Sequence, residues 1–440
     1  MKQIKRNVSP YQLLIIIFIG LILLGTLLLK LPFSTSEKIS WVDALFTATS
    51  ASTVTGLVVF DTGHTFSLFG ELVILLLIQL GGLGIMSFAL LVFIMLGRKI
   101  NFKKRLLFQQ TLNQHSFEGI IHLVKHLFII SICLELLATI LLSIKWVPEY
   151  GWWKGIYISF FHAISSFNNA GFSLWPDSLT RYVGDPLINI VISCLFILGG
   201  IGFTVLLDIW QNRKFKKLTL HSKIMILGTL IVNFVVMFLL FILEYHNPNT
   251  LGTLPTLSDK LWASYFQATS PRTAGFNSLD IGKLDEATLF IMILLMFVGA
   301  GSASTGGGIK LTTFVVILFG VISFLKGKTN ILIAKRSINE SFIFRSLAIS
   351  TIALIFISVA VFMLNITEKA SFLSLLFEVI SAFGTVGLSM GITSSLTVIG
   401  KLILIFIMFL GKIGPLTLAL SLAKVEKVSI NYPNEDILTG

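Results

Sequence analysis

Long apolar segments alternate with short runs of small polar residues along this chain. The apolar segments at 11–30 and 72–96 are long enough to cross about 30 Å of hydrocarbon as helices. Between them, residues 43–56 form an Ala-, Ser- and Thr-rich run that is too short to span a bilayer and ends in Thr-Val-Thr-Gly. This pattern predicts a span, a half-helix that enters the membrane, an extended glycine loop and a second span.

The same pattern occurs four times. Polar runs that end in glycine recur at 161–171, 265–275 and 377–387, and the third copy is one residue shorter after the point of alignment. The runs align on one serine each, namely Ser50, Ser165, Ser270 and Ser381. Because internal repeats put equivalent positions in equivalent places, the sequence predicts a ring of four loops around one axis.

The predicted fold is therefore an all-α integral membrane protein with four membrane-pore-membrane repeats, built from eight spans and four re-entrant half-helices. The predicted repeats cover 11–96, 120–209, 221–324 and 343–422, and a tail follows at 423–440. The predicted spans lie near 11–30, 72–96, 120–144, 187–209, 221–243, 287–324, 343–364 and 398–422.

Composition supports a membrane protein and excludes a soluble domain. Of the 440 residues 55% are hydrophobic and only 12% are charged, which is about half the charged share of soluble domains. The two cysteines, Cys133 and Cys194, lie in apolar segments without CxxC spacing, so we interpret both as packing residues.

The net charge of +12 is explained by topology and does not indicate a nucleic-acid partner. Basic residues concentrate in the termini and in the loops at 97–119, 210–223 and 325–345, whereas acids outnumber bases in the linkers beside the four glycine loops. By the positive-inside rule both termini are predicted to be cytoplasmic, and the glycine loops face the outer side of a multi-pass protein of the cell membrane.

The four glycine loops suit cation coordination. Glycine permits a positive φ, and backbone carbonyls turned toward an axis replace the water shell of a cation. The half-helices would direct their negative C-terminal ends at the same point. The predicted ion-coordinating residues are Thr53, Val54, Thr55, Gly56, Asn168, Asn169, Ala170, Gly171, Arg272, Thr273, Ala274, Gly275, Gly384, Thr385, Val386 and Gly387.

A glycine-rich stretch in the third repeat predicts a broken span. Residues 299–308 contain five glycines in ten positions, and each costs a helix about 1 kcal/mol. Non-helical backbone at membrane depth is tolerated where it lines an aqueous path, so we predict a gate there. Its predicted residues are Gly299, Gly301, Ser302, Ser304, Thr305, Gly306, Gly307, Gly308, Lys310 and Lys412. The glycine pairs in the first two repeats are instead interpreted as close helix packing.

Lys412 is the most informative single residue. A cation near the middle of a span costs about 2.5–3.5 kcal/mol on insertion scales, so the side chain should face the pore or a partner. We predict that Lys412 holds the closed glycine-rich stretch by donating to its carbonyls or to Ser302, Ser304 or Thr305.

Other polar residues give weaker indications. Arg272 would block a cation pore if it pointed inward, so its side chain should lie behind the loop, with Glu378 or Asp43 as its partner. His122 and His126 have helical i,i+4 spacing but no third metal ligand nearby in the sequence.

Over nearly its full length the chain resembles the Ktr/Trk/HKT superfamily of potassium transporters, most closely the bacterial Ktr membrane subunit. The resemblance implies four repeats around one pore, with filter glycines at Gly56, Gly171, Gly275 and Gly387. Glycine at all four positions goes with potassium selectivity, whereas serine in the first goes with sodium preference. The family's gating loop resembles 299–310, and Lys412 stands where the family usually has arginine.

The resemblance also implies partners and cargo. It indicates potassium as the transported ion, which many members of the family couple to sodium, no covalently bound cofactor, and nucleotide only through a partner subunit. That partner would be a cytosolic nucleotide-binding regulatory ring. The protein itself would be a homodimer in the lipid bilayer, and the tail at 431–440 resembles the family's dimer-contacting tail.

Two other functions remain open at this point. One is a sodium-preferring or conventional alternating-access secondary cation transporter, although its inverted repeats would need half-helices of opposite topology. The other is a multi-pass membrane enzyme, which needs catalytic acids, histidines or metal ligands at one depth, and no such motif occurs in the sequence. The prediction is a transporter and not an enzyme.

Overall fold

The computed structural model describes residues 10–84, 117–327, 331–334 and 336–422. Part of the predicted span 72–96, the basic loop that follows it, and the predicted tail at 423–440 lie outside the described residues.

The described chain is largely helical, which confirms the predicted fold class, while the count of repeats and their limits stay a prediction. The helices are α1 Pro10–Leu29, α2 Trp41–Thr53, α3 Thr62–Thr65, α4 Leu68–Gly82, α5 Phe117–Tyr150, α6 Trp152–Phe167, α7 Pro186–Ile201, α8 Phe203–Gln211, α9 Leu220–Glu244, α10 Leu257–Thr269, α11 Glu286–Phe297, α12 Leu311–Leu325, α13 Glu340–Thr367, α14 Phe372–Gly384, α15 Val398–Ile413 and α16 Pro415–Leu422.

Short helices stand where the sequence predicts half-helices. Three of them, α2, α10 and α14, have 13 residues, and α6 has 16. At a rise of 1.5 Å per residue, 13 residues give a helix of about 20 Å, which cannot cross the hydrocarbon layer. Side-chain caps fix three of the starts: Ser40, Thr256 and Ser371 each accept a backbone N–H bond.

The half-helices form the centre of the molecule. Each carries a phenylalanine four residues before its aligned serine, and all four rings are fully buried. These rings are Phe46, Phe161, Phe266 and Phe377. By contrast, large apolar side chains on the long helices, such as Ile140 and Phe234, are more than half exposed. This inverted distribution of exposed apolar surface is that of a protein surrounded by lipid.

Several helices among the described residues are long and apolar enough to cross a membrane. They are Gln12–Leu29, Val124–Tyr150, Leu220–Glu244 and Glu340–Thr367. These match the first predicted span of each repeat.

The second spans differ from the prediction, which had only the third one broken. Helices α7 and α8 meet at 95° around Gly202, so the predicted span 187–209 is bent sharply. The predicted span 398–422 is likewise interrupted, at Gly414. The φ angles of these glycines are 109° and 92°, and an α-helix cannot continue through them. Helix α4 also ends early, at Gly82.

A short hairpin lies in the predicted loop 325–345, where no strand was expected. Strands β1 Ile331–Ile333 and β2 Arg336–Ile338 pair antiparallel, with Leu332 opposite Ser337. The β-branched isoleucines in both strands favour this pairing.

Candidate functional site

The serine on which the four polar runs align binds the backbone of its own loop. In the first copy the Ser50 carbonyl accepts the Thr55 N–H at 2.8 Å, and the Ser50 hydroxyl oxygen accepts the Gly56 N–H at 3.1 Å. The fourth copy repeats this geometry, because the Ser381 hydroxyl oxygen accepts the Gly387 N–H at 3.1 Å.

In the other two copies the aligned serine hydroxyl donates a hydrogen bond instead of accepting one. The Ser165 hydroxyl donates to the Phe172 carbonyl at 2.7 Å, and the Ser270 hydroxyl donates to the Phe276 carbonyl. All four serines are fully buried. Each glycine loop is therefore anchored on the end of its own half-helix by a short polar side chain, and this is the physical reason for the spacing seen in the sequence.

Each loop also has two residues with positive φ. The glycines have φ of 88° at Gly56, 68° at Gly171, 80° at Gly275 and 95° at Gly387. Two residues before each glycine, the φ angles are 58° at Val54, 58° at Asn169, 80° at Thr273 and 49° at Thr385. For a non-glycine residue this conformation costs about 1–2 kcal/mol, so the surrounding packing must enforce it. The sequence gives no direct signal for this second position.

The four loops meet in a closed ring. A β-carbon added to any of the four glycines would strike the backbone of the next loop in chain order. The distances from that added β-carbon to the nearest atom are 2.4 Å at Gly56 (to Ala170 O), 2.9 Å at Gly171 (to Gly275 Cα), 2.1 Å at Gly275 (to Val386 O) and 2.1 Å at Gly387 (to Thr55 O). No side chain fits at any of these positions. The backbone carbonyl before a glycine therefore lies beside the glycine of a neighbouring loop.

A chamber opens on one side of this ring. It has a volume of about 250 Å³, and all four loop glycines contribute to its wall. The carboxylate-bearing residues Asp61 and Asp280 also line it. Acidic groups around a confined entrance raise the local concentration of cations.

Glycines in the second spans allow these helices to touch the ends of the half-helices. A β-carbon would lie 1.9 Å from a half-helix carbonyl oxygen in each of three pairs: Gly81 with Ser52, Gly199 with Phe167 and Gly411 with Phe383. The contact explains why these glycines follow the loop glycines at a nearly constant distance in the sequence.

The glycine-rich segment, defined here as residues 298–310 between α11 and α12, is not helical. Its two ends pair with each other, with the Gly299 N–H donating to the Ile309 carbonyl at 2.8 Å. Its middle pairs with the bend between α7 and α8, where the Gly301 N–H donates to the Gly200 carbonyl at 2.8 Å. The segment is therefore a packed structure, held by backbone hydrogen bonds to itself and to the neighbouring bend.

The glycine-rich segment is hydrogen-bonded directly to two of the glycine loops, and through one of them to a third. The Thr305 hydroxyl donates to Asn169 Oδ1 at 2.7 Å, and Asn169 Nδ2 donates to Thr273 Oγ1 at 3.1 Å. The Gly307 N–H donates to Thr385 Oγ1 at 2.8 Å. The side chains of Asn169, Thr273 and Thr385 are thus bound to the segment or to one another, and their left-handed backbone is held from this side.

Two lysines bind carbonyls of the glycine-rich segment. Lys412 Nζ donates to the Thr305 carbonyl at 2.5 Å, and Lys310 Nζ donates to the Gly306 carbonyl at 2.6 Å. Both side chains belong to half-buried residues. The two ammonium groups therefore clamp neighbouring carbonyls of one segment, one from α15 and one from the segment's own end.

The serine hydroxyls of the segment are not partners of Lys412. The Ser302 hydroxyl lies 3.2 Å from the hydroxyl of Thr312, and the Ser304 hydroxyl donates to the Gly301 carbonyl at 2.7 Å. Of the two alternatives predicted for Lys412, the carbonyls of the segment or its three hydroxyls, the structure shows the first, at the main chain of Thr305.

A polar cluster behind the second loop was not predicted. Asn168 Nδ2 donates to Gln79 Oε1 at 2.7 Å, and Gln79 Nε2 donates to both carboxylate oxygens of Glu135 at 3.1 and 3.2 Å. Ser131 donates to the same carboxylate at 3.1 Å. The Asn168 side chain is therefore bound to α4 and α5 instead of lining the ring. A glutamine and a glutamate in otherwise apolar spans are the signal that could have revealed this cluster.

The predicted partners of Arg272 are wrong. Asp43 pairs with Lys401 Nζ at 2.7 Å, and Glu378 accepts a hydrogen bond from the hydroxyl of Thr393. Arg272 lies behind the third loop as expected, but among the described residues its side chain reaches only Asn233 Oδ1, from Nη1 at 3.4 Å. Asp43 is paired with a lysine of α15 and Glu378 with Thr393, which follows its own half-helix, and the sequence order does not reveal these pairings.

Within the described ranges no three His, Cys, Asp or Glu side chains come together as a metal site. The loop carbonyls at the contacts of the ring, such as those of Thr55, Ala170 and Val386, are oxygen atoms of another kind. Carbonyl oxygen is a suitable ligand for an alkali-metal ion that has lost its water.

Comparison with known proteins identifies the family. The profile of the TrkH family, described as a cation transport protein, matches residues 2–431. The chain is 57% identical over 432 residues to the Ktr system potassium uptake protein B of Bacillus subtilis, covering 98% of this chain and 97% of that protein. It is 43% identical over 441 residues to the protein of the same name from Vibrio alginolyticus, covering 100% and 97%.

Two further similarities concern a more distant relative and a solved structure. The chain is 39% identical over 448 residues to the potassium/sodium uptake protein NtpJ of Enterococcus hirae, covering 100% of this chain and 99% of that protein. The crystal structure of the potassium transporter TrkH from Vibrio parahaemolyticus shares the fold, with a TM-score of 0.75 at 17% identity, over 96% of this chain and 87% of that one.

These matches confirm the resemblance drawn from the glycine loops and exclude the membrane enzyme as an alternative. The protein is a transporter with several apolar helices that suit a membrane. By its sequence over nearly the full length, and by its fold, this chain belongs to the TrkH family of cation transport proteins.

Proposed function

We propose that this protein takes up potassium through a pore whose selectivity filter is the ring of four glycine loops. The observation that carries the proposal is the closure of the ring, in which a β-carbon on any of the four glycines would strike the neighbouring loop. Two relatives covering nearly the whole chain are named potassium uptake proteins, which supports potassium as the cargo.

The ring offers the chemistry that a potassium filter needs. Carbonyls such as those of Thr55, Ala170 and Val386 lie at the loop contacts and would replace the water shell of the ion. The C-terminal ends of the half-helices direct their negative dipole charge toward the same region, which favours a cation there. In the proposed orientation the chamber lined by Asp61 and Asp280 is the outer entrance.

We propose that the glycine-rich segment, 298–310, is the gate. Its Thr305 and Gly307 are bonded to side chains of the loops, so it lies directly against one face of the ring. Lys412 and Lys310 hold it in this position through two carbonyls. Opening would break these charge-assisted bonds and withdraw the segment from the axis.

The proposed assembly is a homodimer that binds a cytosolic nucleotide-binding ring, with both termini cytoplasmic. One described part of the basic inner surface is the connection between α8 and α9, which contains the exposed cations Lys214, Lys216 and Lys217. Such a surface suits an acidic soluble partner. No nucleotide-binding motif occurs in the chain itself, so nucleotide control would come from that partner.

Coupling to sodium is a separate proposal. The relative from Enterococcus hirae is named a potassium/sodium uptake protein. We propose that potassium uptake by this protein rises when external sodium is present, while potassium remains the preferred ion at the ring.

The test is uptake of potassium and of sodium by cells that lack their own transporters, with and without the other ion. Potassium accumulation that exceeds sodium accumulation at equal concentrations supports the filter. Equal or greater sodium accumulation in the absence of potassium would favour the sodium-preferring alternative. If each potassium ion taken up is accompanied by a fixed number of a second ion, the result would favour alternating access.

A further inference from the structure

The buried guanidinium of Arg272 has almost none of its hydrogen-bonding capacity used. An arginine carries five N–H donors and a permanent positive charge. Only 8% of the residue is exposed, yet its one side-chain partner in the described part of the chain is Asn233 Oδ1, at the long distance of 3.4 Å. No described carboxylate forms an ion pair with it.

A second orphaned donor lies beside it. The hydroxyl of Thr229 on α9 is buried and has no hydrogen-bond partner among the described residues. Arg272 and Thr229 line the same small cavity, whose remaining wall is mostly apolar and includes Phe196 and Ile201. Buried donors without acceptors are rare in folded proteins because their desolvation is not repaid, so two on one cavity point to a ligand that accepts from both.

The size and charge of the cavity limit the ligand. Its volume is about 20 Å³, whereas a single water needs roughly 10–15 Å³ on the same kind of measure. A tetrahedral oxyanion does not fit in that space, but one atomic ion does. The carbonyl end of α10, three residues before Arg272, offers only about half an opposite charge, so a net positive charge remains.

We propose that the cavity between α7, α9 and α10 binds one small monovalent anion, such as chloride, held by the Arg272 guanidinium and the Thr229 hydroxyl. The anion neutralises a cation that stands next to the third glycine loop, where an uncompensated positive charge would repel a transported cation. Ala300 of the glycine-rich segment also lines the cavity, so the bound anion contacts the segment as well. The proposal concerns binding and does not depend on which cation the ring selects.

The test is anomalous scattering from crystals of the full-length protein grown in bromide. We expect a bromide peak between Arg272 and Thr229 in the wild-type protein, loss of the peak in Arg272→Gln and a weaker peak in Thr229→Val. Arg181→Gln is the matched control, because Arg181 is exposed and already paired with Asp177. The bromide peak at the cavity in this variant should equal the peak in the wild-type protein.

A second measurement distinguishes specific anion binding from binding that occurs only at the high bromide concentration of the crystal. The melting temperature of the wild-type protein should be higher in chloride than in gluconate at equal ionic strength, and this difference should vanish in Arg272→Gln. A wild-type cavity that holds only water would overturn the proposal, as would a peak unchanged in Arg272→Gln. A peak without any chloride-dependent rise in melting temperature would mean binding at crystal concentration only and would overturn it too. If Arg272→Gln does not fold, the test rests on the bromide peak in the wild-type protein and on its weakening in Thr229→Val.

Discussion

Lys412 Nζ lies 2.5 Å from the carbonyl oxygen of Thr305, and the hydroxyl of the same Thr305 lies 2.7 Å from Oδ1 of Asn169. One residue of the glycine-rich segment is thus bonded through its main chain to α15 and through its side chain to the second glycine loop. Any movement of the segment must break one of these bonds or move the loop with it. The proposed gate and the proposed filter are therefore one connected structure.

Replacing Lys412 by alanine is expected to raise ion flux. The lysine stabilises the segment in its present position, and a hydrogen bond to a charged group contributes about 1.5–3 kcal/mol. Since about 1.4 kcal/mol is a tenfold change in an equilibrium, the open fraction should rise by roughly tenfold unless it is already large. The measurement is potassium uptake per folded protein, with and without the soluble partner.

Lys326→Ala is the matched control for this prediction, because Lys326 is an exposed lysine at the end of α12 and should leave flux unchanged. Lys412→Arg should keep the low flux of the wild type. Lower uptake in Lys412→Ala, with the protein folded, would mean that the segment is only a packing element.

Thr305→Val should loosen the same segment from the filter side. The substitution keeps the shape of the side chain but leaves Asn169 Oδ1 without its donor, and an unsatisfied buried group costs about 1–3 kcal/mol. We expect higher flux and a lower preference for potassium over sodium, because Asn169 also bonds Thr273 of the third loop. Competition uptake of the two ions measures both effects. Thr367→Val, at a half-buried threonine bonded within α13 and far in sequence from the segment, should change neither; an effect equal in both variants would contradict the prediction.

Gly56→Ser is expected to lower the preference for potassium. A β-carbon at Gly56 would lie 2.4 Å from Ala170 O, so the first and second loops must separate and distort the carbonyl cage. The ratio of potassium to sodium uptake is the measurement. Gly20→Ser is the control, because a β-carbon at Gly20 meets nothing within 4 Å. A potassium-to-sodium ratio that stays at the wild-type value in Gly56→Ser would count against the ring as the filter.

Asp43→Asn should destabilise the fold by separating the first and fourth half-helix regions. Asp43 at the start of α2 pairs with Lys401 of α15 at 2.7 Å, and the two side chains are only 11% and 13% exposed. We expect a loss of about 2 kcal/mol, between the values typical of exposed and of buried pairs. Thermal unfolding in detergent measures it. Arg181→Gln, which breaks an exposed pair with Asp177, should show no measurable change; equal effects would contradict a special role for the Asp43 pair.

Much of the ring was predictable from the sequence because its signals are local. The aligned serines and glycines, such as Ser50 and Gly56, lie six positions apart in one loop, and the anchoring bond between them needs only that spacing and the turn. The long apolar helices followed from length and composition alone.

The broken second spans were harder to predict. The sequence around Gly202 has fewer glycines than the third copy, so the propensity of the residues favoured a continuous helix. The structure instead holds Gly202 at φ 109°, because the backbone of the glycine-rich segment pairs with this bend through Ala303 O and the Phe203 N–H at 2.8 Å. A tertiary contact overrides local propensity here.

Side-chain pairing across repeats was the least predictable feature. Arg272 was expected to meet Asp43 or Glu378, yet each of these acids has a nearer partner of its own in the fold. Which charged groups meet depends on the rotation of each helix about its axis, and sequence order does not determine that rotation.

The proposed filter requires that the ring of loop carbonyls binds dehydrated potassium. The most direct measurement is anomalous scattering from rubidium that replaces potassium in crystals of the full-length protein. We expect rubidium peaks on the axis of the ring, at the level of Thr55 O, Ala170 O, Ala274 O and Val386 O. These peaks should be lost or displaced in Gly56→Ser and unchanged in Gly20→Ser. A protein that transports rubidium but shows no peak at the ring would contradict the claim.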